Sequence, residues 1–252
     1  MANISEGQSN SSSRWNLLDA FIIGAASILI ILIGMFITSL IPGFTQWQFE
    51  PSGKTPYNYV VALAALEGIG LLLGIYGYGF LRRKMTWKDL GIFKSTRQWL
   101  LKAAVVALLM IPVIGIIAAI IQMILGLPIS NPQLEFLVPT DFSFLSASAM
   151  LIVAGFFVPL AEELFFRGVL YQAIRNHFGV WVGIIISSVI FGALHGDVSI
   201  AGATFVMGLV LAFFFEKSRS IWPSVLIHAL NNSLKLAAIY VMVLMDINIP
   251  GI

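Results

Sequence analysis

The chain has 252 residues, of which 59% are hydrophobic and only 10% charged, with a net charge of +2 and a mean hydropathy of +0.94. Soluble domains carry about 25% charged residues, so this composition excludes a water-soluble globule and a disordered chain and marks an integral membrane protein. Cysteine is absent, which excludes disulfides, a thiol nucleophile and thiolate metal sites.

In chain order, residues 1–16 are rich in Ser and Asn, lack an apolar period, and are predicted as a disordered tail. Spanning the bilayer takes about 20 helical residues. Ala20–Ile41 is uncharged and ends at Pro42-Gly43, which fits a retained span better than a cleaved signal. Tyr59–Leu81 follows, interrupted by Glu67, then Ala103–Leu127 with a kink expected at Pro112. Four further spans start at Phe144, Val180, Ile200 and Ile221, the last reaching Met245. The expected fold is an all-α, polytopic membrane helix bundle of about seven transmembrane helices, within a range of six to eight. Residues 17–143 form its N-terminal helices and 144–246 its core.

Eleven of the 14 Lys and Arg residues fall on one side of these spans. The positive-inside rule makes that side cytoplasmic, with the N-terminus inside and the C-terminus outside. Met85–Leu101, with Trp87, Leu90, Phe93 and Trp99 among its charges, is expected to lie at headgroup level. The loop Pro128–Ser143 carries Pro132, Glu135, Pro139 and Asp141 on the opposite side. Gly70/Gly74 and Gly179/Gly183 have the spacing that permits close helix contact.

Ionisable residues inside spans cost roughly 2.5–3.5 kcal/mol each on insertion scales, so they mark function more often than packing. Glu162 and Glu163 follow an apolar run, and Glu163 and Arg167 are an i,i+4 acid–base pair on one helix face. A helix from Phe144 to Arg175 would bury Glu162 about 20 Å from its cytoplasmic end. His195 ends the apolar stretch from Val180, about 22 Å deep. His228 and Asn232 share a face of the last helix. Each feature alone also fits a solvated helix end or interhelical hydrogen bonding. Together Glu162, His195 and Asn232 come at similar depth from three helices, and a cluster of carboxylates, two imidazoles and a carboxamide is an inventory suited to hydrolysis. Glu67 receives no role, with Lys235 as one candidate partner, and His177 is expected at the cytoplasmic surface.

The three motifs, E-E-x-x-x-R at Glu162, Glu163 and Arg167, F-x-x-x-H at Phe191 and His195, and H-x-x-x-N at His228 and Asn232, resemble those of the CAAX protease and bacteriocin-processing (CPBP, or Abi) membrane family, which includes the type II CAAX prenyl endopeptidases. The resemblance covers about the last 110 residues. It implies an intramembrane endopeptidase acting near the C-terminus or the membrane-proximal part of a peptide or protein. By that resemblance Glu162 is the general base on water, helped by His195. His228 and Asn232 supply oxyanion donors, and Glu163 and Arg167 hold the site in shape. Which of Glu162 and Glu163 is the base stays open in the sequence. A metal-free mechanism is favoured, because Asn232 is a good oxyanion donor and a poor zinc ligand. A zinc alternative would draw on Glu162, His195 and His228. The expected partners are a peptide or membrane-protein substrate and the lipid bilayer, with no nucleic acid, in a bacterial plasma membrane. The rival readings are a proton-coupled carrier and a non-catalytic immunity or binding protein.

Overall fold

In a computed structural model, residues 14–41, 57–129, 137–138 and 142–247 are described. Among them the chain is helical throughout, with seven principal helices. These are α1 (Leu17–Ser39), α2 (Tyr57–Arg82), α3 (Arg97–Leu125), α4 (Phe144–Phe178), α5 (Val180–Ala193), α6 (Val198–Ser218) and α7 (Ile221–Leu244). Six are long and apolar enough to cross a bilayer, and α5, at 14 residues, is short for a span. The protein is thus a multi-pass α-helical membrane protein with six full-length spans and a shorter apolar helix. The loop residues Pro132, Glu135, Pro139 and Asp141 lie outside the described residues.

Local sequence sets the helix ends. Asn16 caps α1 by accepting from the Asp19 N–H, while the Asp19 carboxylate accepts from the Asn16 N–H. The side chains of Thr96, Asp197 and Ser220 cap α3, α6 and α7 by accepting from first-turn N–H groups, without the reciprocal bond. Residues 1–13 of the expected tail lie outside the described residues. Its last three are placed: Trp15 is buried, and its indole donates to the Asp89 carbonyl at 2.8 Å. Helix α3 continues through Pro112.

The segment after α2 differs from a simple headgroup-level strip. Trp87 and Phe93 are exposed, but Met85 and Leu90 are buried. The Gln172 amide of α4 donates to the Asp89 carbonyl, and Asn176 donates to the Trp15 carbonyl. The segment is therefore docked onto α4, and from Arg97 onward the chain already belongs to α3. Leu90 sits against Gly168, whose added Cβ would lie 3.0 Å from the Leu90 carbonyl oxygen.

Small residues set the helix spacing. A Cβ on Gly70 would run into Ile31, and one on Gly74 into Ser27, so this pair brings α1 against α2 as its spacing predicts. The Gly179/Gly183 pair acts differently. Gly179 takes φ +87° in the turn between α4 and α5, where only glycine is unstrained, and Gly183 lies against the Arg175 backbone. Helix α5 packs along α6, and α7 packs against α3, α4 and α6. The main core runs between these helices, and Ala161, Val169, Phe191 and Leu211 lie at its centre.

Candidate functional site

In α4, Glu162 and Glu163 sit on a regular stretch, Val158–Phe165, between two π-helical segments, Val153–Phe157 and Phe166–Tyr171, and Arg167 lies in the second of these. π-Turns inside α-helices occur mostly at functional sites. The first has a local cause. Pro159 has no N–H to donate to the Gly155 carbonyl four residues back. The Ser233 hydroxyl of α7 donates to that carbonyl at 3.1 Å, and the Asn232 amide donates to the neighbouring Ala154 carbonyl at 3.3 Å. Two side chains of α7 thus satisfy the opened backbone of α4, about two turns before Glu162. The absence of a side chain on Gly155 allows the approach, since a Cβ there would lie 2.6 Å from the Ser233 hydroxyl.

Glu163 and Arg167 are fully enclosed. Arg167 Nη1 donates to Glu163 Oε1 at 2.7 Å and Nη2 to the Gly208 carbonyl of α6 at 3.2 Å. The guanidinium carbon stands 4.5 Å from the centre of the Phe191 ring, a buried cation–π contact. Glu163 Oε1 also faces His228 Nδ1 at 3.1 Å. A carboxylate already receiving an arginine proton can only accept, so His228 Nδ1 carries hydrogen. The other ring nitrogen, Nε2, faces Glu162 Oε2 at 3.6 Å. The side chain of Glu162 keeps 10% of its surface open, against none for Glu163.

Phe191 is the hub of the motif residues. Its ring meets His228 edge-on at 5.7 Å and His195 at 5.0 Å, in addition to the guanidinium. His195 Nδ1 is 2.8 Å from the Phe191 carbonyl. A carbonyl only accepts, so Nδ1 donates, and in the neutral ring Nε2 is left with a free lone pair.

The structure therefore brings Glu162, Glu163, Arg167, Phe191 and His228 into one contact cluster. His195 joins it through the Phe191 ring, with no hydrogen bond or ion pair to Glu162 among the described residues. Asn232 stands one turn along α7 from His228, bound to α4 through one of its two amide hydrogens. Both nitrogens of His228 face glutamates, and among the described residues no three His, Asp or Glu side chains are grouped to hold a metal ion.

Two features were not legible in the sequence. Asn231 is more buried than Asn232, and its amide nitrogen has no partner among the described residues. Glu67 of α2 lies in electrostatic range of Glu162, and Lys235 of α7 in range of His195. No ion pair joins Glu67 to Lys235 among the described residues, so the pairing considered from the sequence does not form.

Residues 144–234 match the family model described as type II CAAX prenyl endopeptidase Rce1-like. The matched stretch begins with α4 and contains every motif position named above. The chain is also 31% identical over 84 residues to YdiL of Bacillus subtilis (strain 168), which is named provisionally as a membrane peptidase. That match covers 33% of this chain and 34% of the relative, so the chain spans about a third of the curated protein it matches. No solved structure matches.

Proposed function

We propose that this protein is an intramembrane endopeptidase that uses Glu162 to activate water. The observation that carries the reading is the contrast between the two adjacent glutamates. Glu163 is sealed from solvent and ion-paired with Arg167, whereas Glu162 keeps an open edge, faces the His228 imidazole and has the Glu67 carboxylate in electrostatic range. A general base must meet water, and only Glu162 has that access.

In this reading Glu162 takes a proton from water as the oxygen attacks the peptide carbonyl. The new C–O bond forms, the C–N bond breaks, and the proton passes to the leaving nitrogen. His228, fixed through Nδ1 by Glu163, donates from a protonated Nε2 to the oxyanion. The second amide hydrogen of Asn232 is the other donor. His195 offers its free Nε2 as an acceptor for water. Arg167, Glu163 and Phe191 keep the imidazoles oriented. No metal enters this scheme, which rests on the carboxylate–imidazole set alone. The substrate is a peptide or membrane protein cleaved near its C-terminus or next to the membrane. The protein sits in the plasma membrane with its N-terminus in the cytoplasm, and nucleic acid plays no part.

The test compares peptide termini, by mass spectrometry, in membranes carrying wild type or Glu162→Ala at matched expression. A set of termini should appear with wild type and fall by about 10²–10⁴ in rate without the base. Identical profiles combined with a lost ion flux in Glu162→Ala would move the assignment to a proton-coupled carrier. The unpaired Glu67 and Lys235 are the feature that favours that rival. Protection against a bacteriocin that survives Glu162→Ala would instead indicate an immunity or binding protein.

A further inference from the structure

The first π-turn of α4 decides which way the two glutamates face. Ala147 and Met150, before the turn, form one buried cluster with Leu236, Ile239 and Tyr240, so this stripe of α4 looks toward α7. A regular α-helix turns about 100° per residue. Continued unbroken from that stripe, α4 would carry Glu162 about 90° away from α7 and Glu163 onto the opposite side. The observed helix instead contains a wider turn, in which the Val158 N–H donates to the Val153 carbonyl, five residues back. Such a turn takes up one extra residue and rotates the helix beyond it by about 100°. The rotation brings Glu162 into line with the stripe and Glu163 beside it, where both meet His228.

Two residues hold the wide turn open. A regular helix would close here by a bond from the N–H of residue 159 to the Gly155 carbonyl, and residue 159 is a proline without that N–H. The Ser233 hydroxyl takes the vacant place at 3.1 Å, beside the Asn232 amide on the Ala154 carbonyl at 3.3 Å. A buried carbonyl needs a donor. Pro159 removes the donor from within α4, and Ser233 supplies one from α7. A side chain that enters the backbone ladder of a helix in this way is a recognised cause of local distortion.

We propose that Pro159 and Ser233 are positioning residues, which set the register of α4 and thereby turn Glu162 and Glu163 toward His228. Neither is assigned a contact with the reacting atoms. The bearing on catalysis rests on the protease reading above, whereas the register can be read without any substrate.

The test compares wild type, Ser233→Ala and the double variant Pro159→Ala/Ser233→Ala as purified full-length protein. The double variant restores the N–H at position 159 and removes the outside donor, so the Gly155 carbonyl can close a regular turn. Its thermal midpoint should equal or exceed that of Ser233→Ala, in which the same carbonyl loses its donor. Its kcat on an internally quenched apolar peptide should nonetheless fall by about 10²–10⁴, the loss expected when a general base is withdrawn, with KM unchanged. Ser233→Ala keeps Pro159 and the wide turn, and its kcat should stay within about tenfold of wild type. Nitrogen NMR of the three histidines gives a second reading. The signal of His228 Nδ1–H bonded to Glu163 should be present in wild type and in Ser233→Ala and lost in the double variant. If the double variant does not fold, Pro159→Ala alone takes its place and the same outcomes decide. An unchanged His228 signal, a kcat close to wild type, or activity lost together with a midpoint below that of Ser233→Ala overturns the proposal and leaves the protease reading standing. A wild type that cleaves no peptide beyond the Glu162→Ala background overturns the protease reading, and the histidine signal then still decides the register.

Discussion

The sealed ion pair gives the sharpest test of how this site is held. Arg167→Met removes the 2.7 Å bond to Glu163, the bond to the Gly208 carbonyl and the guanidinium over Phe191, while roughly conserving side-chain volume. Glu163 would then be a buried carboxylate held only by His228, and its second oxygen already has no partner among the described residues. Removing one member of a buried pair costs about 3–5 kcal/mol, because the remaining charge stays desolvated. Glu163→Gln should cost a similar amount for the same reason. The double variant leaves no orphan charge, so it should cost about as much as either single change, with a coupling of about 3 kcal/mol. The assay is reversible unfolding in mixed micelles for the wild type, both single variants and the double variant. Costs that add to within about 0.5 kcal/mol would show that the two side chains act independently, which would refute the sealed-pair account.

Two further outcomes follow from the packing. Gly192→Ala places a Cβ 2.5 Å from the Ala201 carbonyl oxygen and should cost about 1–3 kcal/mol by pushing α5 from α6, whereas Gly115→Ala meets nothing within 4 Å and should be neutral or slightly stabilising. Unfolding measurements on the two variants check the contrast, and equal effects would contradict the packing. Asp197→Ala removes the α6 cap, which accepts from the Ser199 and Ile200 N–H groups, and should cost about 0.5–2 kcal/mol. The Ser199 hydroxyl and the Ile200 N–H hold the Asp197 carboxyl below its ordinary value. Its contribution is therefore complete above about pH 4, the unfolded value, and is lost as pH falls through the lower folded value. A stability gap between wild type and Asp197→Ala that did not close in acid would contradict this.

Much of the site was readable before any coordinates. Glu162, Glu163 and Arg167 stood out because charge is rare inside apolar helices, and the i,i+4 spacing of Glu163 and Arg167 already placed them on one face. The span limits at Tyr57–Arg82, Phe144–Phe178 and Ile221–Leu244 differ from the expected ones by a few residues. The reach of α4 past Arg167 also followed, because the apolar pattern continued there. The segment around Leu90 was read as a headgroup-level strip, since its aromatics and charges fit one. Its docking depends on Gly168, Gln172 and Trp15, none of which is near it in sequence.

The sequence by itself determined that this chain is a membrane helix bundle and which polar residues its apolar helices carry, because burying charge in hydrocarbon is costly enough to make each such residue conspicuous. The tertiary structure alone decided how the work is divided among them. The i,i+4 spacing already faced Arg167 toward Glu163, and packing against Gly208 and Phe191 is what seals that pair from water. His228 could face any helix, and the α4–α7 contact at Gly155 turns it between the two glutamates. Those choices depend on which helix faces meet, and a linear pattern of apolar and polar residues does not specify them.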